Sequence, residues 1–272
     1  MEDLQKKIIE LYKVKKEIDP KEEARRIIDF IKDYVRANTF VKSLVLGISG
    51  GQDSTLLGKL SQIAVSELRS EGIDIVFIGV KLPYKEQLDM EDVIIAMEFI
   101  KPDIDMEVNI GRPVDEIVKA LEEYFDISDF NKGNIKARVR MVVQYGIAGE
   151  KSGLVLGTDH AAENIMGFFT KHGDGAADLM PLFHLNKGQG KEILKYLGAP
   201  KKLYEKVPTA DLEDDKPLIA DELSVGVSYE EIDSYLTAKE VSKEAKERIE
   251  SAFLKSQHKR HLPVNIFDDF WK

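Results

Sequence analysis

The 272-residue sequence predicts an α/β fold: a doubly wound, mostly parallel sheet with helices on both faces. Two observations lead to this prediction. Short apolar runs rich in β-branched residues alternate with longer segments whose apolar residues recur at helical spacing. The short runs lack polar alternation, which is typical of parallel strands buried on both faces. Because such strands need helical crossovers, we expect right-handed βαβ units in a single domain over residues 1–272.

The predicted elements follow one another in a regular order. Residues 1–38 are predicted to be helical, because Asp19 and Pro20 form a helix start and apolar residues then recur on one face. The core of about 39–200 holds four predicted strands, at 43–48, 73–80, 106–110 and 153–157. Helices are predicted between and after them, at 56–68, 91–100, 113–125, 134–150 and from 161 onward.

The segment of about 205–226 differs from the rest of the chain. It contains Pro208 and Pro217, many acidic residues and little hydrophobic periodicity. A connection of this length is usually functional or disordered, so we interpret it as a mobile lid, with a plain surface loop as the alternative. The C-terminal part, residues 227–272, is predicted to hold a charged helix at 242–257 and a tail.

The composition argues against several classes of protein. Lys and Arg number 39 against 49 Asp and Glu, and the formal charge of −10 argues against broad binding to nucleic acid or to an anionic membrane. The absence of cysteine excludes disulfides, zinc ribbons, iron–sulfur clusters and a cysteine nucleophile. The five histidines form no HExxH pair, and no apolar run is long enough to span a bilayer. With no signal-peptide core at the N-terminus, we expect a cytoplasmic protein without nucleic-acid or membrane partners.

A glycine-rich loop follows the first predicted strand. Its residues are Gly47, Ile48, Ser49, Gly50, Gly51, Gln52, Asp53 and Ser54. Glycines let backbone N–H groups approach an anion, and the next helix adds its free N–H groups and the positive end of its dipole. Asp53 supplies a carboxylate for a divalent cation that bridges phosphates. The pattern is neither a Walker A loop nor GxGxxG, so it predicts another type of phosphate cradle, with a tight turn that binds nothing as the alternative.

A second polar cluster, at 157–164, follows the fourth predicted strand. Thr158 lies where ligands of such sheets bind. Asp159 is a candidate cap for the next helix, which would put Glu163 in the first turn of that helix. Asp53 and Glu163 could then share a Mg²⁺ ion on a triphosphate. The alternative is that the acids of this cluster interact only with the helix dipole.

Other polar residues carry weaker signals, and for them a solvated position is the simpler explanation on sequence alone. These residues are Arg138, Lys171, Asp178, Lys187 and Thr209. His258 and Lys259 lie at the C-terminal end of a predicted helix, where the helix dipole accounts for their positive charge. By themselves these residues indicate no function.

The blocks around these residues resemble a known family. SGGxDS after a buried strand resembles the ATP pyrophosphatase, or PP-loop, superfamily, which implies a fold like that of the adenine nucleotide alpha hydrolases. Other blocks resemble the ammonia-dependent NAD⁺ synthetases in the same order along the chain, from Ile18 to Lys272. They include GISGGQDST, NKGNIKARVRM, GTDHAAEN, FFTKHGDGAADLMPL, PTADLED and HKRHLP. SGGxDS alone indicates the superfamily, whereas GTDHAAE and KHGDGAAD make the resemblance specific.

The resemblance implies a role for each candidate residue. ATP would be bound by residues 47–54 together with Thr158, Lys187 and Thr209, and Mg²⁺ would be held by Asp53 and Glu163. Asp53 and Lys187 would be the catalytic residues. Deamido-NAD⁺ would contact Arg138, Lys171, Asp178, His258 and Lys259. The resemblance also implies a homodimer with the dinucleotide site at the subunit interface, and loops near residues 82–88 and 205–225 that become ordered with ligands.

The resemblance further implies a reaction, the ATP-dependent amidation of deamido-NAD⁺ by ammonia, which releases AMP and pyrophosphate through an adenylate. A chain of this length without cysteine has no room for the nitrilase-type domain, with its cysteine nucleophile, of the glutamine-using NAD⁺ synthetases, so free ammonia is the expected nitrogen donor unless a separate partner delivers it. Members of the superfamily that modify tRNA need a basic surface, which the net charge of −10 argues against. A nucleotide sensor that binds ATP without releasing pyrophosphate is the alternative from a different class.

Overall fold

The fold was analysed on a computed structural model, which describes residues 4–86, 89–206, 209–210 and 219–271. For 209–210 and 219–220 the description covers the backbone alone. Most of the predicted lid, and part of the loop near 82–88, therefore lie outside the described residues.

A four-stranded parallel sheet forms the centre of the molecule, with strand order β3-β2-β1-β4. The strands are β1 Ser43–Gly47, β2 Val76–Lys81, β3 Ile104–Glu107 and β4 Gly153–Val155. In β1, Val45 lies between Ile78 of β2 and Val155 of β4. Two very short strands, β5 Thr209–Ala210 and β6 Ile219–Ala220, pair separately and antiparallel.

Helices cover both faces of the sheet, which confirms the predicted fold class. The helices up to the fourth strand are α1 Leu4–Tyr12, α2 Pro20–Ala37, α3 Gln52–Ser70, α4 Met90–Ile100, α5 Gly111–Glu122 and α6 Asp129–Glu150. After the fourth strand come α7 Ala161–Met166, α8 Lys187–Tyr196, α9 Lys202–Glu205, α10 Asp221–Val225, α11 Tyr229–Leu236, α12 Lys243–Lys255 and a 3-10 turn, Gln257–Lys259. None of the helices in the described ranges is long and apolar enough to cross a membrane.

The side chains of β1 explain how the sheet is buried on both faces. Leu44 and Leu46 pack into an apolar cluster with α2, α3, α4 and α8, whereas Val45 packs into a second cluster with α5 and α6. Successive residues of a strand point to opposite faces, so an uninterrupted apolar run is what this position requires. A third cluster joins α1, α7, α11 and α12 beyond the sheet, with Tyr12 and Tyr235 fully buried in it.

Caps define several helix starts. Asp19 caps α2 by accepting hydrogen bonds from the backbone N–H groups of Lys21 and Glu22, as the sequence predicts. Ser128 caps α6, which therefore begins at Asp129 rather than at the predicted 134. Asn186 caps α8. The helix α8 thereby places Lys187 at its first position.

The strand boundaries differ from the predicted ones where charged residues interrupt the apolar run. The third strand was predicted at 106–110 but is observed at Ile104–Glu107. Asp105 and Glu107 point to solvent at the sheet edge, where both pair with Lys81 of β2. A strand exposed on one side alternates polar and apolar residues, so an apolar run alone does not define it.

An ion-pair network crosses the outer surface between α2 and α3. Arg25, Lys32 and Arg36 of α2 pair with Glu67 and with Glu71, which directly follows α3, at distances between 2.6 and 2.9 Å. Hydrogen bonds from Arg25 and Lys32 lower the pKa of Glu67 to about 2. Burial opposes this effect but is outweighed by it. We call this group of five side chains the α2–α3 network.

Candidate active site

The candidate site lies where β1 and β4 end side by side. Strand β2 pairs with one edge of β1, and strand β4 pairs with the opposite edge of β1. The carboxyl ends of these two strands therefore flank the point at which the strand order reverses, which is where open α/β sheets bind ligands. Residues 48–54 follow β1 and residues 156–163 follow β4, so both polar clusters of the sequence meet here.

The glycine-rich loop is held by specific backbone contacts. The Gly47 N–H donates to Gln144 Oε1 at 2.7 Å, and the Ile48 N–H donates to Val80 O at 2.8 Å. Gly50 has φ +78°, and a Cβ atom there would lie 2.7 Å from the backbone nitrogen of Val93. Only glycine fits that conformation and that close approach.

The N-terminus of α3 completes the loop. Gly51 is its N-cap, and no side chain among the described residues caps it. The first N–H groups of a helix have no partner within the helix, so this end of α3 can donate hydrogen bonds to an anion. The Ser54 hydroxyl, which accepts from the Ser49 N–H at 3.2 Å, lies within the same turn. The arrangement supports the predicted phosphate cradle, except that the N–H groups of four loop residues bond to the protein itself, namely those of Gly47, Ile48, Ser49 and Gly51.

Four charged or titratable side chains converge in front of this loop. The Lys187 Nζ lies 2.7 Å from Asp53 Oδ2 and 3.4 Å from Glu163 Oε1. The His160 Nε2 lies 3.6 Å from Asp53 Oδ1 and 3.4 Å from Glu163 Oε1. Asp53 comes from the first turn of α3, Glu163 from the first turn of α7 and Lys187 from the start of α8. Three elements far apart in sequence therefore build one site.

The charges of this cluster stabilise one another. Burial opposes ionisation of Glu163, but the positive charges of His160 and Lys187 outweigh it and lower the pKa of Glu163 to about 2. Burial likewise disfavours the ammonium of Lys187, but Asp53 and Glu163 raise the pKa of Lys187 above its usual value. The pKa of His160 is also raised, because Glu163 and Asp53 outweigh the effect of burial. The site therefore favours positive charge between the two carboxylates.

The donor set fits a Mg²⁺ ion. Ligand atoms of Asp53, His160 and Glu163 all lie within 4.8 Å of one another. Carboxylate oxygens are the ligands that Mg²⁺ prefers. The Lys187 ammonium lies beside the carboxylates of Asp53 and Glu163, so a positive charge is already accommodated there. Imidazole suits other metals better, so His160 is the less suitable ligand for Mg²⁺ and fits the role of a hydrogen-bond donor to the carboxylates.

The structure also brings two residues to the cluster that the sequence did not identify as site residues. Tyr229 lies with its ring centroid 4.8 Å from Lys187 Nζ. Asp221 is 6% exposed, and its Oδ1 finds no hydrogen-bond partner among the described residues. Burial and the charge of Glu163 raise the pKa of Asp221 to about 6. His160, in contrast, had a signal in the sequence, because it precedes Glu163 by three residues at the start of a predicted helix.

The prediction that Asp159 caps α7 is wrong. His160 is the N-cap residue, and Glu163 nevertheless lies in the first turn, as predicted. Asp159 is 3% exposed, and its Oδ2 has no hydrogen-bond partner within the described residues. Burial, together with the charges of Asp174 and Glu163, raises the pKa of Asp159 well above its usual value.

The two predicted threonines differ in what can be said of them. Thr158 lies half-buried directly after β4 and its bridge to Leu179, at the carboxyl edge of the sheet. The backbone of Thr209 pairs with Ala220 in the short β5–β6 ribbon, and its side chain lies outside the described part of the structure.

The residues predicted to contact a dinucleotide form two groups. The Arg138 Nη2 donates to the Lys171 carbonyl at 3.3 Å, and the Lys171 Nζ donates to the His258 carbonyl at 2.6 Å, so these three lie together. The Lys259 Nζ donates to carbonyls within 167–169, and Asp178 accepts from the Val155 N–H at 2.7 Å. Lys259 and Asp178 therefore stabilise the backbone around the site in the ligand-free protein.

Comparison with known proteins confirms the resemblance. The family model described as NAD synthase matches residues 23–263. A Lactobacillus gasseri protein named NH(3)-dependent NAD(+) synthetase is 61% identical over 275 aligned positions, which cover 100% of this chain and 99% of the relative. The structure of NAD⁺ synthetase from Burkholderia pseudomallei is 39% identical with a TM-score of 0.81, covering 95% of this chain and 96% of that one.

A further solved structure, described as NMN synthetase from Francisella tularensis, has a TM-score of 0.80 and 32% identity, with 93% of this chain and all of that chain covered. Both structures superpose over nearly the whole length of the chain. The family model covers every residue of the charged cluster and of the glycine-rich loop. Sequence, fold and site therefore agree that the chain belongs to the NAD synthase family.

Proposed function

We propose that this protein converts deamido-NAD⁺ to NAD⁺ with ATP and ammonia. In the first step an oxygen of the nicotinate carboxylate attacks the α-phosphorus of ATP, the bond to the β-phosphate oxygen breaks, and pyrophosphate leaves. In the second step ammonia attacks the carbonyl carbon, AMP leaves with the former carboxylate oxygen, and the amide nitrogen loses a proton. The first step converts a carboxylate, which lacks an adequate leaving group, into a mixed anhydride.

The convergence of Asp53, Glu163 and Lys187 at the ends of β1 and β4 is the observation that carries this proposal. The glycine-rich loop and the first turn of α3 bind the phosphates of ATP through backbone N–H groups. The Lys187 ammonium donates to the phosphate oxygens and stabilises the charge that develops on pyrophosphate. Asp53 and Glu163 hold Mg²⁺, which supplies Lewis-acid stabilisation of the same charge.

The remaining ligand contacts are assigned from the resemblance and the observed placement together. Thr158, at the carboxyl edge of the sheet, contacts ATP, and Thr209 is given the same role from the resemblance alone. The deamido-NAD⁺ contacts are Arg138, Lys171, Asp178, His258 and Lys259. The mutual contacts of Arg138, Lys171 and His258 support a shared role for these three residues. Binding of the dinucleotide beside the adenylation site brings the two reactants together without a protein nucleophile.

The function is tested by one assay. The protein is mixed with Mg²⁺, ATP, ammonium and deamido-NAD⁺, and NAD⁺, AMP and pyrophosphate are quantified. Equal amounts of the three products, formed only when the dinucleotide is present, are the expected result. A parallel reaction with nicotinate mononucleotide is included because a similar structure is described as an NMN synthetase. Faster amidation of the mononucleotide would overturn the proposed substrate, and ATP binding without AMP formation would favour the nucleotide sensor instead.

A homodimer is also part of the proposal. Large apolar side chains are exposed on α6 and in the C-terminal tail, including Phe130 at 68% and Phe267 at 88% exposure. Exposed apolar surface of this kind marks interaction sites. Light scattering at micromolar concentration should give twice the chain mass of 30.7 kDa, and a value equal to that mass would contradict the dimer. The cytoplasm, which holds the ATP that the reaction consumes, is the proposed location.

A further inference from the structure

Tyr229 forms one wall of the charged cluster. It is the first residue of α11, and it is 8% exposed. The helix start is fixed by a reciprocal cap, in which Ser228 accepts from the Glu231 N–H and Glu231 accepts from the Ser228 N–H. The Tyr229 N–H donates to Glu222 Oε1 at 2.7 Å, so the residue is also tied to α10. Its side chain is therefore held in one place relative to α7 and α8.

The aromatic ring faces the ammonium of Lys187. The distance from Lys187 Nζ to the ring centroid is 4.8 Å, which is within the range of a cation–π interaction. The other neighbours of this ammonium are Asp53, Glu163 and His160. A metal ion held by Asp53 and Glu163 would compete with Lys187 for their carboxylate oxygens. The cation–π contact with the Tyr229 ring would still stabilise the ammonium in that case.

The hydroxyl of Tyr229 lies between two carboxylates. It is 3.4 Å from Glu163 Oε1 and 3.3 Å from Asp221 Oδ2. An ordinary tyrosine hydroxyl is protonated at neutral pH, and a carboxylate can only accept, so the Tyr229 hydroxyl acts as the donor. A hydroxyl has one hydrogen to donate, so it bonds to one of the two carboxylates at a time. It therefore links the position of Glu163 to that of Asp221, which begins α10.

We propose that Tyr229 is a positioning residue for the adenylation step: its ring holds the Lys187 ammonium on one side of the site, and its hydroxyl couples Glu163 to Asp221. This inference rests on the proposed function, since adenylation is the step in which Lys187 and Glu163 act. Among the described residues, the hydroxyl of Tyr229 bonds to Glu163 and Asp221, and its ring faces Lys187, so Tyr229 acts through these side chains. Its effect is therefore expected on ATP-dependent steps and not on the attack of ammonia.

The test compares Tyr229→Phe and Tyr229→Leu with the wild-type protein. The rate of pyrophosphate release is measured in a single turnover with deamido-NAD⁺ and without ammonium. We expect Tyr229→Phe to be slower by roughly tenfold, the size of one hydrogen bond to a charged group. Tyr229→Leu also removes the ring and should be slower by about a hundredfold. Attack of ammonia on the preformed adenylate should be unchanged in both variants.

Tyr235→Phe is the matched control. Tyr235 lies on the same helix, is fully buried, and donates to Glu250 Oε1 at 3.0 Å. The control therefore loses the same kind of tyrosine–carboxylate bond at a distance from Lys187, and it should release pyrophosphate at the wild-type rate. Equal rates for Tyr229→Phe and Tyr235→Phe would overturn the proposal.

Two further measurements separate coupling from simple destabilisation. Asp221→Asn should slow adenylation, and Tyr229→Phe combined with Asp221→Asn should be no slower than the slower single variant, because both changes break one link. Multiplied effects would overturn the coupling. The increase in unfolding temperature caused by Mg²⁺ and ATP should be smaller in Tyr229→Phe than in Tyr235→Phe. This last measurement does not require turnover, so it tests the inference even if the wild-type protein fails to adenylate deamido-NAD⁺.

Discussion

Two groups of ion pairs in this molecule use the same kinds of side chain but differ in how far their carboxylates are exposed to water. In the α2–α3 network, three cationic side chains of α2 surround Glu67 and Glu71 at the surface. In the charged cluster, Lys187 is shared by Asp53 and Glu163 below the surface, and Asp221 lies nearby. The carboxylates of the network are about one-third exposed, Glu67 by 33% and Glu71 by 36%, whereas Asp53 and Glu163 of the cluster are each only 16% exposed.

This difference helps to distinguish functional ion pairs from ion pairs that only stabilise the fold. A surface network that water screens contributes modestly to stability and requires nothing further. A buried group of carboxylates is costly to desolvate unless positive charge lies beside it. The burial of Asp53 and Glu163 against Lys187 and His160, which shifts the pKa of Glu163, Lys187 and His160, therefore distinguishes a candidate functional site from a structural contact.

The largest effect is expected from Asp53→Ala. This change removes a proposed metal ligand and a carboxylate that lies 2.7 Å from the Lys187 ammonium. Formation of NAD⁺ should fall by about a thousandfold, because Lewis-acid stabilisation contributes several kcal/mol. Steady-state assays at saturating ATP check this expectation. Near-normal activity would show that the cluster does not need a cation, and the comparison with the network would lose its basis.

Lys187→Met should act on one step more than on the other. The substitution keeps most of the side-chain volume but removes the charge that faces Asp53 and Glu163. Adenylation should slow by about a hundredfold, as when one preorganised donor is removed from a charged transition state. Rapid-quench kinetics can follow pyrophosphate and NAD⁺ separately. If both steps slow equally, Lys187 is not specific to the departing pyrophosphate.

In the network, Glu67→Gln should affect stability alone. It weakens the pairs with Arg25 and Lys32, and the unfolding free energy should fall by about 1 kcal/mol, as for partly exposed ion pairs. Urea denaturation measures the change, and the NAD⁺ assay should be unaffected. Glu91→Gln is the control, because Glu91 is 79% exposed in its pair with Lys202 and its loss should be close to neutral. A loss of activity in Glu67→Gln would remove the distinction between the two groups.

The smallest expected effect is the pH dependence of the contribution that Glu67 makes to the free energy of unfolding. The folded-state pKa of Glu67 is lowered to about 2 from its usual value of 4.5. Its stabilising effect is therefore fully present above about pH 4.5 and is lost as the pH falls through about 2. The difference in unfolding free energy between the wild-type protein and Glu67→Gln should shrink over this range. A difference that stays constant down to pH 2 would show that charge is not its origin.

The sequence predicts the centre of this fold well because local pattern and tertiary environment agree there. The strands β1 and β2 are continuous apolar runs, and a strand buried on both faces requires that pattern. The edge strand β3 was displaced in the prediction because its polar positions, Asp105 and Glu107, face solvent. The starts of α2 and α7 were predicted correctly, although the residue before α7 is His160 and not the predicted cap Asp159. The start of α6 was missed by five residues because the cap Ser128 was not recognised.

The candidate site was predictable only where its residues lie in recognisable blocks. Asp53 and Glu163 belong to such blocks, and the structure places both beside Lys187. Tyr229 reaches Glu163 across 66 residues of sequence, through the packing of α11 against α7. No local sequence pattern predicts such a contact, so Tyr229 and its neighbour Asp221 were identified only from the structure.

No side chain in the described part of the protein caps the start of α3, so ATP bound as proposed would complete the hydrogen bonding of this helix. This helix runs for 19 residues and buries Leu56, Leu57 and Leu60 in the central core. Phosphate oxygens at its first turn would take the place that a serine or aspartate side chain has in other helices. Helices are cooperative, so a group that completes the first turn stabilises later turns as well. The helix that packs against the central core would therefore be more completely hydrogen-bonded while the protein holds a nucleotide than after it releases one.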